Sequence, residues 1–423
     1  MKKFMDWLSN KFAPAMNKFI QRPWIAALSG TMQKVIPFIM TGSVVFLYNV
    51  IRSYIQVLPD LSGIADFSFG MLGLVISFLM MNQVMEKLRL PRYTIIGALT
   101  SVCVFLIFIH PTIEDGIFTV RFERFGPTGI LVGLLAAIFT GIIYSLYAKI
   151  PFLRDSSIPD FVVEWIHNII PMFFTLGLGF LISFRLNIDI FDVIKNLFDP
   201  LQNIAQTLPG MILICFIPAF LYSMGISSWV FGAVSTPIFM VAIQANIDAV
   251  AQGLPATNIV TSETVFTAAL ITMGGMGATL ALNIIMLFSK STRMKTMGKI
   301  CIVPSLFNIN EPLVFGTPIA MNPILMVPFW LCAIIGSSIV WLTMYFGFLN
   351  IPSKMIQIGQ IPAPISSVMI TEDLRAIIVY LVLLVVYTLI WYPFFKVHEK
   401  TCLQEEAEEL EEEAKKQAIA TEA

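Results

Sequence analysis

Long stretches without a charged side chain constrain this chain more than any other feature. The longest covers the 48 residues between Asp199 and Asp248 and contains no Asp, Glu, Lys or Arg. Over the whole chain 57% of residues are hydrophobic and 13% are charged, whereas soluble domains carry about 25% charged residues. A membrane-spanning helix needs roughly 20 apolar residues. The pattern therefore predicts an all-α, polytopic membrane protein with the lipid bilayer around most of its surface.

The lengths of the apolar segments predict about ten transmembrane helices. The charge-free run is too long for a single crossing and is expected to hold two crossings. Both ends of the chain then lie on the same side of the membrane. The predicted crossings are 28–51, 67–85, 93–113, 128–148, 165–184, 209–225, 228–247, 264–289, 323–349 and 376–395.

Positive charge predicts the orientation, because cytoplasmic loops carry an excess of Lys and Arg. The segment 86–92, Lys149 with Arg154, and the basic loop 290–299 all fall on the side of the Lys-rich N-terminus. The loop from Asp248 to Glu263 falls on the other side and has no Lys or Arg. Segment length and loop charge thus both place the two termini in the cytoplasm.

The remaining segments divide the chain into five predicted parts. An amphipathic N-terminus (1–27) lies on the cytoplasmic leaflet, because its lysines alternate with aromatic and aliphatic residues. The first five crossings (28–184) are joined by an amphipathic linker (185–209) to a second transmembrane part (210–395). The last part (396–423) is rich in Glu and is expected to be a solvated helical tail, with a solubilising role or a partner-binding role.

The segment 304–323, PSLFNINEPLVFGTPIAMNP, contains one acid, Glu311, among apolar and neutral residues. Its four prolines prevent one uninterrupted helix. A further crossing here would place the two termini on opposite sides, so residues 300–322 are predicted to enter and leave on the cytoplasmic side as a re-entrant segment. Irregular backbone at membrane depth is tolerated only where protein or a watery cavity surrounds it.

A carboxylate at membrane depth is costly and is by default a candidate for function. Glu311 is flanked by Asn308 and Asn310, whose amides both donate and accept hydrogen bonds. This combination suits a ligand rich in hydroxyl groups, and a carboxylate can also accept a proton from a hydroxyl. The alternative is a structural hydrogen bond from Glu311 to a helix end.

Two further motifs are candidates for the same site. Ser227 and Ser228 lie at the predicted break between two crossings, where polar groups often face a substrate cavity. Gly277 and Thr279 lie in the glycine-rich stretch MGGMGATLALN. For both motifs close helix packing is the alternative explanation.

Other classes of site have no sequence signal. The five cysteines are far apart without a CxxC pair, and no His, Asp or Glu spacing is typical of a metal site. No cofactor is therefore expected. Basic residues cluster only at the predicted cytoplasmic face, so no nucleic-acid partner is expected.

The segment 307–329, FNINEPLVFGTPIAMNPILMVPF, closely resembles the signature of enzyme IIC, the permease component of the bacterial sugar phosphotransferase system, in its lactose/cellobiose branch. The stretch GGMGATLALN and the opening KFMDWLSNKFAPAMNKF with VIPFIMTGS are also similar to that branch. The resemblance covers essentially the whole chain.

The resemblance implies a homodimeric permease of the bacterial cytoplasmic membrane with re-entrant hairpins, in which the first five crossings form the dimer. It implies transport of a β-linked disaccharide, whose 6-hydroxyl receives a phosphoryl group from an enzyme IIB partner. Glu311 would hold the sugar hydroxyl and accept its proton, and Asn308 and Asn310 would line the site. Because 28 residues follow Phe395, the donor is expected to be a separate chain.

One departure from the family pattern concerns phosphoryl transfer. Family members usually carry Gly-Ile-His-Gly at the broken helix, and the matching residues here are Gly225, Ile226, Ser227 and Ser228. A serine can bind a sugar hydroxyl but carries no positive charge. A facilitator or secondary transporter without phosphorylation is therefore an alternative, and a membrane sugar sensor acting through the acidic tail is another.

Overall fold

The structure is a computed structural model, and it describes residues 11, 13–54, 57–151, 159–226, 229–317, 319–320, 322–357 and 361–422. Helices make up most of it. Among the described residues the only strands are β1 (Thr112–Glu114) and β2 (Ile117–Thr119), which pair antiparallel in a short ribbon. The prediction of an all-α membrane protein is confirmed apart from this ribbon. The helix of the predicted crossing 93–113 ends at Phe108, before the ribbon begins.

The first half of the chain is a bundle around one central helix, α4. Helix α4 packs against α2, α5 and α6, and Gly133 on α6 permits the closest approach. A Cβ atom at Gly133 would lie 2.2 Å from the carbonyl oxygen of Gly73 on α4. The helices of this half are α1 (Ala13–Ile20), α2 (Pro23–Tyr54), α3 (Ser62–Ser68), α4 (Leu72–Lys87), α5 (Thr94–Phe108), α6 (Ile130–Tyr147) and α7 (Asp160–Phe180).

Helix α8 (Ile190–Ala205) lies within the predicted linker and is strongly amphipathic. Its first turn is held to the first half by Arg124, whose guanidinium donates to Asp189 at 2.8 Å and stacks on Phe191 at 4.6 Å. Asp189 also caps the helix by accepting from the backbone N–H of Asp192. Helix α9 (Leu208–Ser223) follows at an angle of 91° to α8, so the linker turns the chain back into the membrane.

The charge-free run forms the expected pair of helices, α9 and α10 (Trp229–Ala251). The crossing predicted at 264–289, however, is wrong as a single helix. It consists of a π-helical turn (Glu263–Thr267), an unwound stretch, and the short helix α11 (Thr279–Leu287). Gly274, Gly275 and Gly277 all have positive φ angles, which interrupt a right-handed helix. We name residues 261–287 the broken crossing.

A first re-entrant hairpin follows the broken crossing and contains α12 (Thr292–Leu306) and α13 (Glu311–Gly316). We name residues 292–316 the inner hairpin. The prediction of a basic loop at 290–299 is wrong, because most of these residues form the start of α12, where Ser291 caps the helix by accepting from the N–H of Met294. The hairpin therefore begins earlier than the predicted 300–322.

A second hairpin lies at the opposite end of the molecule and was not predicted as a separate segment. Helix α14 (Pro323–Tyr345) ends before the predicted limit of its crossing at 349. The chain then turns inwards and returns through α15 (Ala363–Thr371). We name residues 346–371 the outer hairpin, because the predicted orientation places its two ends on the extracellular side.

The mouth of the outer hairpin is held by charged residues. Lys354 forms an ion pair with Glu372. Asp373 accepts from the guanidinium of Arg375 at 2.7 Å, and this hydrogen bond lowers the pKa of the Asp373 carboxyl. The Lys354–Glu372 pair joins the two arms of the hairpin where they leave the interior, and the Asp373–Arg375 pair stabilises the turn that leads into the last helix.

The last helix, α16 (Ala376–Glu422), supports the broken crossing. The hydroxyl of Tyr387 donates to the carbonyl of Leu270 at 2.9 Å, and the indole N–H of Trp391 donates to the carbonyl of Gly277 at 3.2 Å. Both side chains are fully buried. They satisfy carbonyl groups that a continuous helix would have satisfied internally.

The predicted number of ten crossings is not confirmed. Within the described part of the chain, seven helical segments are long and apolar enough to cross a membrane, and the bent pair α8 and α9 would add an eighth. The broken crossing does not meet this test because it is not a helix.

Two of the three tyrosines of α16, Tyr387 and Tyr392, offer a matched test of the support for the broken crossing. We expect Tyr387→Phe to lower the free energy of unfolding by about 1–3 kcal/mol, because a buried carbonyl loses its donor. Tyr392→Phe makes the same chemical change on a side chain that is 52% exposed and should change it by less than about 0.5 kcal/mol. Thermal unfolding in detergent measures both, and equal effects would contradict the role of Tyr387.

Candidate functional site

Asn308 lies at the tip of the inner hairpin and joins three segments. Its φ angle is 61°, a conformation that Asn adopts more readily than most residues. Its carboxamide oxygen accepts from the N–H of Gly274 in the broken crossing at 3.0 Å. Its Nδ2 donates to the carbonyl of Ile361 in the outer hairpin at 2.9 Å. The two hairpin tips and the unwound stretch therefore meet at this side chain.

Asn310 and Thr279 form a second connection beside it. The Nδ2 of Asn310 donates to the carbonyl of Met276 at 2.8 Å and to Oγ1 of Thr279 at 3.2 Å. Thr279 in turn donates to the carbonyl of Gly274 at 2.7 Å. Asn310 is 4% exposed and Thr279 is 0% exposed. Both hydrogens of the amide are thus used to hold the unwound backbone in shape.

Glu311 follows Asn310 directly, and its backbone begins α13. Its side chain lies outside the part that the structure describes. The position of its backbone places it one residue from the Asn310 contact with the broken crossing. Asn308, Asn310, Thr279 and the start of α13 are therefore brought together.

Gly277 belongs to the same region through its backbone. Its φ angle is 77°, and a Cβ atom would lie 2.2 Å from the ring of Phe329. Its carbonyl accepts the hydrogen bond of Trp391. The geometry gives this glycine a part in packing the unwound stretch against α14 and α16.

Ser227 and Ser228 lie outside the described residues. The residues on their N-terminal side are described, and Met224 and Ile226 pack against Met326 near the start of α14. The indole N–H of Trp330 on α14 donates to Ser223 at 2.8 Å. The break between α9 and α10 therefore lies beside the helix that follows the inner hairpin.

The sequence analysis missed a second acid, Glu263, which it placed at the end of an exposed loop. The structure places it in the first turn of the broken crossing, where it is 0% exposed. Its carboxylate accepts from Oγ of Ser262 at 2.9 Å and from Nε2 of Gln357 at 3.4 Å. A sequence signal did exist, because Glu263 and Glu311 are the only acids between Asp248 and Glu372.

The acidic tail is not wholly solvated, contrary to the prediction. Glu399 is buried and accepts from Oγ of Ser289 at 2.6 Å and from the N–H of Lys290 at 2.8 Å. Glu406 accepts from Oγ of Ser291 at 2.7 Å and from the N–H of Arg293 at 2.8 Å. Both carboxylates lie at the N-terminal end of α12, where negative charge is stabilising. The start of the tail therefore anchors the inner hairpin.

An unwound crossing that meets two opposed hairpins is the architecture of a membrane transporter with a central substrate site. A family model for the phosphotransferase system EIIC proteins matches residues 25–333 of this chain. The chain belongs to the phosphotransferase system EIIC family, and it is a multi-pass protein of the bacterial cytoplasmic membrane.

Individual relatives agree with the family match. The oligo-beta-mannoside-specific EIIC component of Bacillus subtilis is 28% identical over 319 residues, which are 72% of this chain and 71% of the relative. The lactose-specific EIICB component of Staphylococcus epidermidis is 26% identical over 431 residues, which cover 96% of this chain and 72% of that longer protein.

A solved structure has the same fold. The crystal structure of ChbC, the IIC component from the N,N'-diacetylchitobiose-specific phosphotransferase system, matches with a TM-score of 0.82. The match covers 95% of this chain and 99% of that chain at 24% sequence identity. At this identity the likeness is one of fold.

The same substitution, Asn to Asp, made at two positions tests the Asn310 contacts. Asn310→Asp replaces a donor by an acceptor opposite the carbonyl of Met276, and we expect a loss of unfolding free energy of about 2 kcal/mol or more. Asn322→Asp is the control, because Asn322 caps α14 by accepting from the N–H groups of Ile324 and Leu325, and Asp caps a helix as well as Asn does. Thermal unfolding compares the two, and an equal loss in both would contradict the assignment.

Proposed function

We propose that this chain carries a β-linked disaccharide of the cellobiose, lactose or chitobiose type across the cytoplasmic membrane. It then presents the sugar's 6-hydroxyl to a separate enzyme IIB, which donates the phosphoryl group. The single observation that carries the proposal is the meeting of Asn308, Asn310 and the start of α13 at the unwound crossing, in a chain of the EIIC family.

The chemistry of these residues suits a sugar. A disaccharide presents many hydroxyl groups, which pair with carboxylates, amides and backbone carbonyls. Backbone that is unwound at membrane depth is tolerated where protein or a watery cavity surrounds it. Glu311 follows the tip at which the segments meet, and we assign it to the sugar hydroxyl that becomes phosphorylated.

In this scheme Glu311 acts as the general base. The hydroxyl oxygen attacks the phosphorus of the donor, and its proton passes to the Glu311 carboxylate as the new oxygen–phosphorus bond forms. The bond between the phosphorus and the donor residue of enzyme IIB breaks, and its electron pair stays on that residue, which is then no longer phosphorylated. The inner hairpin is suited to this step, because the predicted orientation opens it to the cytoplasm.

The relatives support the substrate class. Those described above are named for oligo-beta-mannoside, lactose and N,N'-diacetylchitobiose, and all three are β-linked glycosides. The β-linkage gives these glycosides a similar extended shape. A site that accepts one of them is therefore suited to the others. We therefore infer a β-linked disaccharide rather than a monosaccharide.

We also infer that the substrate-holding part (210–395) moves relative to the first five crossings (28–184), which form a homodimer. The support for this movement is the set of hydrogen bonds that join the segments of the second part to one another. The two hairpins and the broken crossing bind one another, whereas Arg124 holds the linker helix to the first half. Light scattering in lipid nanodiscs tests the dimer, and a monomeric mass would contradict it.

Glu311→Gln tests the assignment of the acid. A glutamine keeps the shape but accepts fewer hydrogen bonds, so we expect a loss of about 1–3 kcal/mol in binding free energy for the preferred β-disaccharide. Calorimetric titration of wild type and variant with a panel of β-disaccharides measures it. Glu372→Gln, which changes an acid at the mouth of the outer hairpin, is the control and should leave the affinity unchanged. An unchanged affinity in Glu311→Gln would remove this acid from the binding site.

A facilitator of the same fold is the alternative, which the resemblance suggests by placing Ser227 where the family usually carries His, but which the relatives, named as components of phosphotransferase systems, do not favour. Uptake into proteoliposomes with and without phosphorylated enzyme IIB separates the two candidates. We expect sugar phosphate to accumulate inside only when the partner is present, because phosphorylation traps the sugar. Free sugar at equal internal and external concentration, with no effect of the partner, would favour the facilitator.

A further inference from the structure

The first arm of the inner hairpin, α12, leaves one of its faces exposed. Gly298 faces α11, because a Cβ atom at this glycine would lie 3.0 Å from the Cβ atom of Met286. Met297 faces the returning arm, because a Cβ atom at Gly316 would lie 2.3 Å from its Cε. The remaining face is not covered by the described residues. It carries Lys295, Lys299, Ile300, Val303 and Phe307, all of which are exposed.

Two lysines form the end of this exposed face that is nearer to the start of α12. Lys295 and Lys299 lie one helical turn apart and therefore project from the same side of the helix. We name these two lysines the basic face. Neither lysine forms an ion pair with any of the described residues. The described part of the chain thus leaves the charge of the basic face without a counter-charge.

The described acids at this end of α12 have other partners. Glu399 and Glu406 accept hydrogen bonds from the backbone N–H groups at the start of the helix, where the helix dipole favours negative charge. Glu399 also forms an ion pair with Lys396 of its own helix at 2.6 Å. These carboxylates fix the start of α12 in place. The basic face is therefore carried by an anchored helix.

The helix that carries the basic face leads directly to the candidate sugar site. Helix α12 ends at Leu306, and Asn308 at the hairpin tip follows. At a rise of 1.5 Å per residue, Lys299 lies roughly 13 Å from the tip along the helix axis. From Ile300 to Ser353 the chain contains no Lys, Arg or His. Lys299 is thus the last basic residue before the tip.

The chemistry of the phosphoryl donor is complementary to the basic face. A phosphoryl group on a protein side chain carries a charge of about −1.5 to −2 at pH 7. Surface charges of one sign raise the rate at which a partner of opposite charge associates, over a distance of about 10 Å at an ionic strength of 0.1 M. The predicted orientation places the basic face on the cytoplasmic side, from which the donor approaches the inner hairpin.

We propose that the basic face is the docking surface for phosphorylated enzyme IIB and attracts its negative charge to the cytoplasmic mouth of the inner hairpin. This inference rests on the proposed function, because the partner is required only for phosphorylation of the sugar. Lys295 and Lys299 steer the donor and do not contact the sugar in this arrangement, because about two or more helical turns separate them from the hairpin tip.

The double variant Lys295→Gln with Lys299→Gln tests the proposal. It removes both positive charges, so we expect the association rate constant of phosphorylated enzyme IIB to fall about fivefold or more at an ionic strength of about 0.1 M. The difference from wild type should nearly vanish at about 1 M, where the Debye length falls to about 3 Å. Biolayer interferometry on the protein in nanodiscs of neutral lipid measures the rate. Calorimetric titration should find an unchanged affinity for the β-disaccharide.

The double variant Lys87→Gln with Lys149→Gln is the matched control. Both residues are exposed lysines on the predicted cytoplasmic side of the first half, and neither forms an ion pair with the described residues. The control removes the same charge far from the inner hairpin in the chain, so its association rate should stay within about twofold of wild type. Lys295→Arg with Lys299→Arg keeps the charge and should retain the wild-type rate.

The outcomes separate the two proposals. Wild-type protein that bound none of the β-disaccharides would overturn the proposed function. Wild-type protein that bound sugar but no phosphorylated enzyme IIB would overturn the phosphorylation step together with this inference. If wild type binds both, an unchanged rate in Lys295→Gln with Lys299→Gln would overturn the docking surface alone, as would an equal fall in the matched control. If this double variant does not fold, each single variant should lower the rate about twofold, and unchanged rates in both would overturn the docking surface.

An anionic lipid headgroup is the other class of ligand with a suitable charge. If the basic face binds lipid, nanodiscs that contain phosphatidylglycerol will raise the unfolding temperature of wild type and not that of Lys295→Gln with Lys299→Gln. That result, together with an unchanged rate of donor association in neutral lipid, would assign the lysines to the membrane and overturn the docking surface. A fall in the rate in neutral lipid supports the docking surface, because no anionic headgroup is then present.

Discussion

The need to satisfy backbone polar groups away from water governs the second half of this protein. The broken crossing gives up helical hydrogen bonds around three glycines with positive φ, and unsatisfied peptide groups at membrane depth each cost several kcal/mol. Side chains from other segments replace the lost bonds. Tyr387 and Trp391 reach in from α16, and Asn308 and Asn310 reach in from the inner hairpin. The unwound backbone therefore exists only because its neighbours are in place.

The same hydrogen bonds hold the segments of the second transmembrane part (210–395) together. The same side chains that satisfy the broken crossing also bind the hairpins to it, as Asn308 does for both hairpin tips. At the cytoplasmic end Glu399 and Glu406 fix the chain around the start of α12 to the last helix. These contacts are consistent with our proposal that the segments move together as one substrate-carrying body.

Much of the fold follows from the printed sequence. Charge content and segment length predicted a polytopic helical membrane protein, and the charge-free run predicted the pair α9 and α10. Four prolines and a lone acid predicted a re-entrant segment at the inner hairpin. The prediction failed at the broken crossing and at the outer hairpin, because a buried unwound segment and a buried helix have the same apolar composition. The two kinds of segment differ only in the residues that surround them in space, and a window of sequence does not contain those residues.

The two acids of the second half show where sequence reasoning ends. Glu311 was recognised because prolines and asparagines surround it and because its motif resembles that of a known family. Glu263 was not recognised, because the residues before it are typical of an exposed loop. The sequence by itself determined the membrane environment of this protein, the pair α9 and α10, and the chemistry of its candidate residues. Only the tertiary structure decided which of them meet, because Asn308, Asn310 and Glu263 each have a partner from a segment more than thirty residues away.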